Sequence, residues 1–249
     1  MNWKLYQLSQ DTIKLPYKRN RCRFTTADGY FYDRILKSKA DFVVNVDEDA
    51  FVTDNSRLQN LINLCIENNY VNCGVPDGGV MKIRKHNPIV TNPFFNIINV
   101  SELKKEFDLE HVMRFYSTHQ QDFERHCPSH LLRSKYEYDF YEPYVPFFLW
   151  LNTNYKTLFL DANEHQDGHS NVVLDHEGSP FLVHSWYSRL YGIDDFHTQR
   201  IDSLYKEATD KKMPKEDTVL DKLIMASDRF GKQYYEIKGR VVAKLQRTF

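Results

Sequence analysis

The segment Asp41-Phe-Val-Val-Asn-Val-Asp47-Glu48-Asp49-Ala-Phe51 places two acids two positions apart, directly after an almost wholly apolar run. In an extended chain residues i and i+2 project to the same side, so Asp47 and Asp49 are expected to face one ligand together. No Lys or Arg lies within four positions of either acid. Two carboxylates this close repel each other, and a hard divalent cation such as Mg²⁺ or Mn²⁺ relieves the repulsion and suits oxygen ligands. Such a cation could in turn hold a diphosphate. The same residues also read as a solvated acidic turn or as helix-capping carboxylates.

Other residues carry weaker chemistry. His184, in Phe181-Leu-Val-His184-Ser-Trp186-Tyr-Ser-Arg189, lies on an apolar strand. It reads either as a core histidine or as a third metal ligand. Arg189 could donate a fork of hydrogen bonds to diphosphate oxygens or pair with a surface carboxylate. Glu142 precedes Pro143 at an expected helix start, where an acid either complements the helix dipole or serves as a general base. Asp161, Glu164, His165, Asp167 and His169 form a polar stretch between strands. His165 and His169 have a spacing seen in zinc sites, but no HExxH helix or cysteine pair completes one. Asp167 is the second candidate base. Gly78-Gly79 marks a turn or a close backbone approach; neither phosphate-loop pattern, GxGxxG or GxxxxGKS, is present.

The elements that must position these residues alternate between strand and helix from about residue 30 to 110, the signature of an α/β layer fold. Residues 29–39 read as a short helix. The run 42–46 reads as a strand covered on both faces. Leu58, Leu61, Ile62 and Cys65 recur at helical spacing after the capping residues Asp54-Asn55-Ser56. Residues 71–75 and 95–100 read as strands, with Ser101 expected to cap the next helix. Residues 108–140 show no clear period. Pro143 is expected to open a core helix over 144–151. Residues 157–160 and 172–174 read as strands, and a turn at 177–179 returns the chain into 181–184 as a hairpin. From Asp195 the pattern is helical, and residues 229–249 carry six Lys or Arg against one Glu. The expected division is a domain over 1–192 and a C-terminal helical extension over 193–249 packed on it.

The 249 residues carry 33 Lys+Arg against 34 Asp+Glu, and 41% are hydrophobic. That supplies a real core and excludes a disordered or collagen-like chain. The near-zero net charge argues against duplex nucleic acid as a partner. No signal-like or membrane-spanning apolar run is present, and four widely spaced cysteines without CxxC read as reduced thiols. A cytoplasmic protein is expected.

Apolar strand, Asp-x-Asp, then helix resembles the DxD region of GT-A glycosyltransferases, which use nucleotide sugars. Cys73-Gly-Val-Pro-Asp77-Gly78-Gly79-Val80 followed by Asn92-Pro-Phe-Phe-Asn96-Ile resembles the strand pair that flanks the donor sugar in that fold. Residues 181–189 resemble the C-terminal segment from which a His completes the metal site. The ordered set spans about residues 25–190 and is similar to bacterial enzymes of this fold that build surface polysaccharides. The resemblance implies a GT-A-like mixed sheet flanked by helices, with a Rossmann-like nucleotide-binding half. It implies Mn²⁺ or Mg²⁺ on Asp47, Asp49 and His184, and a nucleotide-sugar donor near Arg23, Asp28, Asp47, Asp77, Gly78, Gly79, Asn96, Trp186 and Arg189. Glu142 or Asp167 would then serve a glycan or lipid-linked acceptor. Only 46 residues precede Asp47, so the nucleotide-binding part is expected to be abbreviated.

Two other functions fit parts of the pattern. Aspartate-nucleophile phosphatases also begin with an apolar strand and DxD, but their fifth position is Thr or Val, where Phe51 stands here. A non-catalytic nucleotide- or glycan-binding protein could use the same scaffold. The basic C-terminal stripe is expected either to pack on the domain or to make weak contact with an anionic membrane face.

Overall fold

A computed structural model describes residues 3–9, 20–21, 31–118, 120–140, 142–192 and 194–212. Arg23 and Asp28, and the basic helix expected over 229–249, lie outside the described residues. The strands are β1 (Trp3–Ser9), β2 (Asn20–Arg21), β3 (Phe42–Asp47), β4 (Ala50–Val52), β5 (Asn72–Pro76), β6 (Thr91–Asn99), β7 (Thr157–Phe159), β8 (Ala162–Glu164), β9 (Asn171–Leu174) and β10 (Pro180–His184). The α-helices are α1 (Asn55–Glu67), α2 (Val100–Leu103), α3 (Leu109–Thr118), α4 (Val145–Asn154) and α5 (Asp195–Thr209). They build a mixed α/β fold with two sheets. The larger has the order β2-β1-β3-β6-β5-β7, in which β6 runs antiparallel to both neighbours while the other pairs are parallel. The smaller, β4-β10-β9-β8, is antiparallel throughout.

The alternation of side chains along β3 decides the layers. Val43 faces a cluster with Ile98, Phe31, Phe147 and Phe148, whereas Val44 and Val46 face the opposite cluster with Leu61, Ile62, Cys65, Phe95 and Phe181. A strand buried on both faces must be apolar throughout, which is why the run 42–46 is so readable. Helix α1 covers the second face with Leu61, Ile62 and Cys65, and Asp54 caps it by accepting from the backbone N–H groups of Ser56 and Arg57 at 2.9 and 3.0 Å. Helix α4 is buried on nearly every side, from Val145 to Asn152, as a core helix between layers must be. Its first turn holds Pro146 rather than Pro143. A third cluster joins α5, through Ile201, Leu204 and Tyr205, to Phe51 and Val183 of the smaller sheet.

Several local expectations need correction. Within residues 29–39 the described helical part is one wide turn, Phe31–Ile35. Asn99, not Ser101, caps α2, because its side chain accepts from the N–H of Glu102 while Ser101 donates its hydroxyl to Asn99. Strands β4 and β8 were not expected: three residues are too few to show alternation, and Ala-Asn-Glu is polar.

A buried polar knot ties α4 to the larger sheet. Asn152 donates to the carbonyl of Ile89 at 2.6 Å and accepts from Asn72 at 2.8 Å and Thr157 at 3.0 Å. Asn72 also donates to Thr91. Removing Asn152 would leave several buried groups unsatisfied at once, a cost of about 1–3 kcal/mol per group before relaxation. Asn152→Ala should therefore lower the urea unfolding free energy by about 3 kcal/mol; a loss below about 1 kcal/mol would show that the knot is replaceable.

Candidate functional site

Strand β3 ends at Asp47 in the larger sheet, and β4 begins at Ala50 in the smaller one. The chain crosses between them through a tight turn at Glu48 and Asp49. Asp47 and Asp49 thus meet because of the turn, not through the extended geometry expected of neighbouring strand residues. In the smaller sheet His184 pairs with Ala50, and the N–H of Ser185 donates to the carbonyl of Asp49 at 2.9 Å. That register sets His184 Nε2 3.2 Å from Asp49 Oδ1. One ligand atom from each of Asp47, Asp49 and His184 lies within 4.8 Å of the others, the only such group of acid, His or Cys side chains among the described residues.

The group is held in an apolar cup. Asp49 is 5% and His184 3% exposed. The imidazole stacks on Phe94 at 4.2 Å between centroids and lies 4.1 Å from the Trp186 ring. Burial, then the charges of Glu48 and Asp49, pushes the Asp47 carboxyl well above its usual range. Burial works the same way on Asp49, but the charge and hydrogen bond of His184, with backbone N–H donors, outweigh it and hold its carboxyl low. His184 Nδ1 has no hydrogen-bond partner among the described residues. Two carboxylates, one imidazole and an excess of negative charge fit a divalent cation with mixed oxygen and nitrogen preference.

Behind the group, Trp186 and Tyr187 adopt left-handed backbone conformations, φ 56° and 62°. Non-glycine residues hold such angles only where the surroundings over-determine them. Arg200 of α5, 7% exposed, does so here. It donates to the carbonyls of Ser185 at 2.6 Å and Trp186 at 3.0 Å, and to the hydroxyl of Ser170. The sequence reading missed Arg200. Its signal was present: it falls four residues before Leu204 and beside Ile201, on the stripe that packs inward, where a cation needs acceptors.

A second polar cluster lies against Trp186. Arg84, whose guanidinium carbon is 5.7 Å from the Trp186 ring centroid, donates to both oxygens of Asp77 at 2.7 and 3.0 Å, to Glu142 at 3.1 Å and to the Tyr144 hydroxyl at 2.9 Å. Asp77 accepts further bonds from Asn92 and Tyr144. It is fully buried with both oxygens taken, so it anchors Arg84 rather than facing a donor. Arg84 thus bonds Glu142 and itself lies over Trp186, whose ring centroid is 4.1 Å from that of His184. Arg84 was also missed in the sequence; nothing in the polar stretch around it marks its partners.

The remaining expected donor residues make the following contacts within the chain. A Cβ at Gly78 would lie 1.7 Å from the carbonyl oxygen of His86, and Gly79, at φ +85°, packs against Leu132. The glycine pair permits close approach within the chain. Asn96 is fully buried inside β6, donating to Thr91. Trp186 keeps partial exposure and bridges the two clusters, while only the backbone of Arg189, in the short helix Ser188–Leu190, is described.

Asp167 does not act as a free carboxylate. It accepts from the backbone N–H groups of His169 and Ser170 and from the Ser170 hydroxyl, beside His165. Burial opposes ionisation, but these donors and the charge of His165 prevail and hold the carboxyl far below its usual range, which makes it a poor base. It braces the loop that carries Ser170, the partner of Arg200. The sequence matches no protein-family model, and no curated protein matches it.

A carboxyl depressed on folding contributes stability above its unfolded pKa, about 3.9, and loses it as pH falls toward the folded value. Asp167→Asn should therefore lower the melting temperature at pH 7, and the gap from the parent protein should narrow steadily below pH about 4. An equal gap at pH 7 and pH 3 would show that the loss is not electrostatic.

Proposed function

We propose that the chain is a metal-dependent glycosyltransferase that moves a sugar from a nucleotide-sugar donor to a glycan or lipid-linked acceptor on the cytoplasmic side of a membrane. The observation that carries this reading is the Asp47–Asp49–His184 group, with Asp49 and His184 buried, at the point where an apolar strand leaves a mixed α/β sheet. Open α/β sheets bind ligands beyond the carboxyl ends of their strands. A mainly parallel sheet with one antiparallel member, joined through a two-residue turn to a second small sheet, is compatible with a GT-A-like arrangement.

Asp47, Asp49 and His184 would hold Mn²⁺ or Mg²⁺, with the imidazole favouring Mn²⁺. When bound, the cation would neutralise charge on the departing nucleoside diphosphate. In an inverting transfer the acceptor oxygen bonds to the anomeric carbon, the bond to the diphosphate oxygen breaks with its electron pair, and the hydroxyl proton needs a base. Glu142 is the carboxylate suited to take it, since Arg84, anchored on Asp77, fixes its position.

Asp49→Asn should abolish Mn²⁺-dependent binding of nucleotide in calorimetric titration while the far-ultraviolet circular dichroism stays native. Undiminished metal-dependent binding would remove the assignment. Glu142→Gln keeps the shape and an acceptor for Arg84 but loses the proton acceptor. Its kcat should fall by roughly 10²–10⁴-fold with donor binding retained; a normal rate would exclude Glu142 as the base.

A further inference from the structure

His184 is the last residue of β10, and the chain turns directly after it through Ser185, Trp186 and Tyr187. Trp186 and Tyr187 are consecutive left-handed residues, and neither is a glycine. A β-carbon disfavours that conformation at each position, so interactions from outside the turn must hold such a pair. The turn packs the Trp186 ring against the His184 imidazole, 4.1 Å between centroids, and Phe94 stacks on the same imidazole at 4.2 Å. The indole N–H of Trp186 donates to Asn171 Oδ1 at 2.5 Å, which fixes the ring's far end.

The same turn reaches a second acid. The N–H of Ser185 donates to the carbonyl of Asp49 at 2.9 Å, and its hydroxyl lies 3.4 Å from Asp49 Oδ2. Behind the turn stands the guanidinium of Arg200. Its Nη1 donates to the Ser185 carbonyl at 2.6 Å and to the Ser170 hydroxyl at 2.5 Å, and its Nη2 donates to the Trp186 carbonyl at 3.0 Å. Asp167 Oδ2 lies 3.4 Å from Nη1, and His197 Nδ1 lies 3.2 Å from Nη2. A planar fork thus grips two successive carbonyls. One of them belongs to the residue that bonds Asp49, the other to the residue that packs on His184.

We infer that Arg200 is a positioning residue for the cation ligands: its fork holds the left-handed turn closed, and the closed turn keeps His184 and Asp49 together. The inference rests on the reading that Asp47, Asp49 and His184 hold a divalent cation. Helix α5 then governs the affinity of the cation site without supplying a ligand to it. Charge alone acts in the opposite direction. A guanidinium beside a cation site repels the cation, so removing it would tighten binding. Weaker binding on loss of Arg200 is therefore a signature of positioning and not of charge.

The test titrates Mn²⁺ into the full chain and follows the electron paramagnetic resonance signal of the free ion. A ¹⁵N-labelled, metal-free sample reports the turn through the Trp186 indole N–H signal, identified by its loss in Trp186→Phe. Arg200→Ala should weaken Mn²⁺ binding by about tenfold or more, the factor that the cost of one left-handed residue converts to. In the metal-free protein it should move the Trp186 indole signal toward that of a solvent-exposed indole. Arg200→Lys keeps the charge but loses the fork. It should weaken binding by about threefold or more, and it replaces Arg200→Ala in every comparison if that variant does not fold. Glycine takes left-handed angles freely. Tyr187→Gly should therefore regain about threefold or more in the Arg200 variant, and change affinity by less than about twofold in the parent. Unchanged or tighter Mn²⁺ binding on loss of Arg200, or an equal response to Tyr187→Gly in both backgrounds, would overturn the positioning role. If the parent chain binds no Mn²⁺, the cation reading fails by itself. The indole signal then decides the hold of Arg200 on the turn, and an unmoved signal in the Arg200 variant refutes it.

Discussion

The chain must leave one sheet and enter another within two residues, between Asp47 and Ala50. Both sides of that passage are fixed: β3 lies between two other strands in the larger sheet, and β4 is hydrogen-bonded to β10 in the smaller. The turn between them therefore has little freedom, and it carries three consecutive acids. Carboxylates that could diverge in a loose loop are instead crowded, two of the three (Glu48 and Asp49) buried, and His184 pairs with Asp49. The residual negative charge is the physical reason to expect a cation there.

What surrounds the turn is arranged to keep it in place. On one side Arg200 gathers the carbonyls that follow His184 and holds two left-handed residues that would otherwise relax. On the other, the fully buried Asp77 fixes Arg84, which in turn holds Glu142 and lies against Trp186. Each of these arginines has its charge met by protein acceptors, so they act as rigid braces more than as free cations. Trp186 is the shared member: its ring touches His184 and Arg84, and its N–H orients Asn171. Rigidity of this kind suits a site that must position reacting groups, because orientation is worth more than new contacts.

Helix α5 deserves a different weight from the one its place in the chain suggests. Read as the start of a C-terminal extension, it is a peripheral element. In the fold it supplies Arg200 to the back of the Asp47–Asp49–His184 group and closes a core over Phe51 and Val183, which lie within two residues of Asp49 and His184. The polar stretch at 161–169 is similarly recast: Asp167 and Ser170 brace Arg200, and Ala162–Glu164 form an edge strand.

The local periodicities made the core strand 42–46, the helix 55–67 and the hairpin into His184 legible, because burial on both faces or on one stripe leaves a regular apolar pattern. The Asp47, Asp49 and His184 candidates were legible too, since their residue types and order carry the chemistry. The sequence could not reveal that Asp77, Asn96 and the two glycines are buried and engaged within the chain, because an acid or amide looks the same whether its partner is a ligand or Arg84. Nor could it place Arg84, Arg200 and Asn171 against Asp77, the carbonyls of Ser185 and Trp186, and the Trp186 indole, which lie 7, 14–15 and 15 positions away along the chain. Short strands such as β4 carry too few residues for a period, yet β4 sets the register that brings His184 to Asp49. Local pattern determined which segments are buried; only the packing of one segment on another decided which polar groups are spent inside the protein and which are left for a ligand.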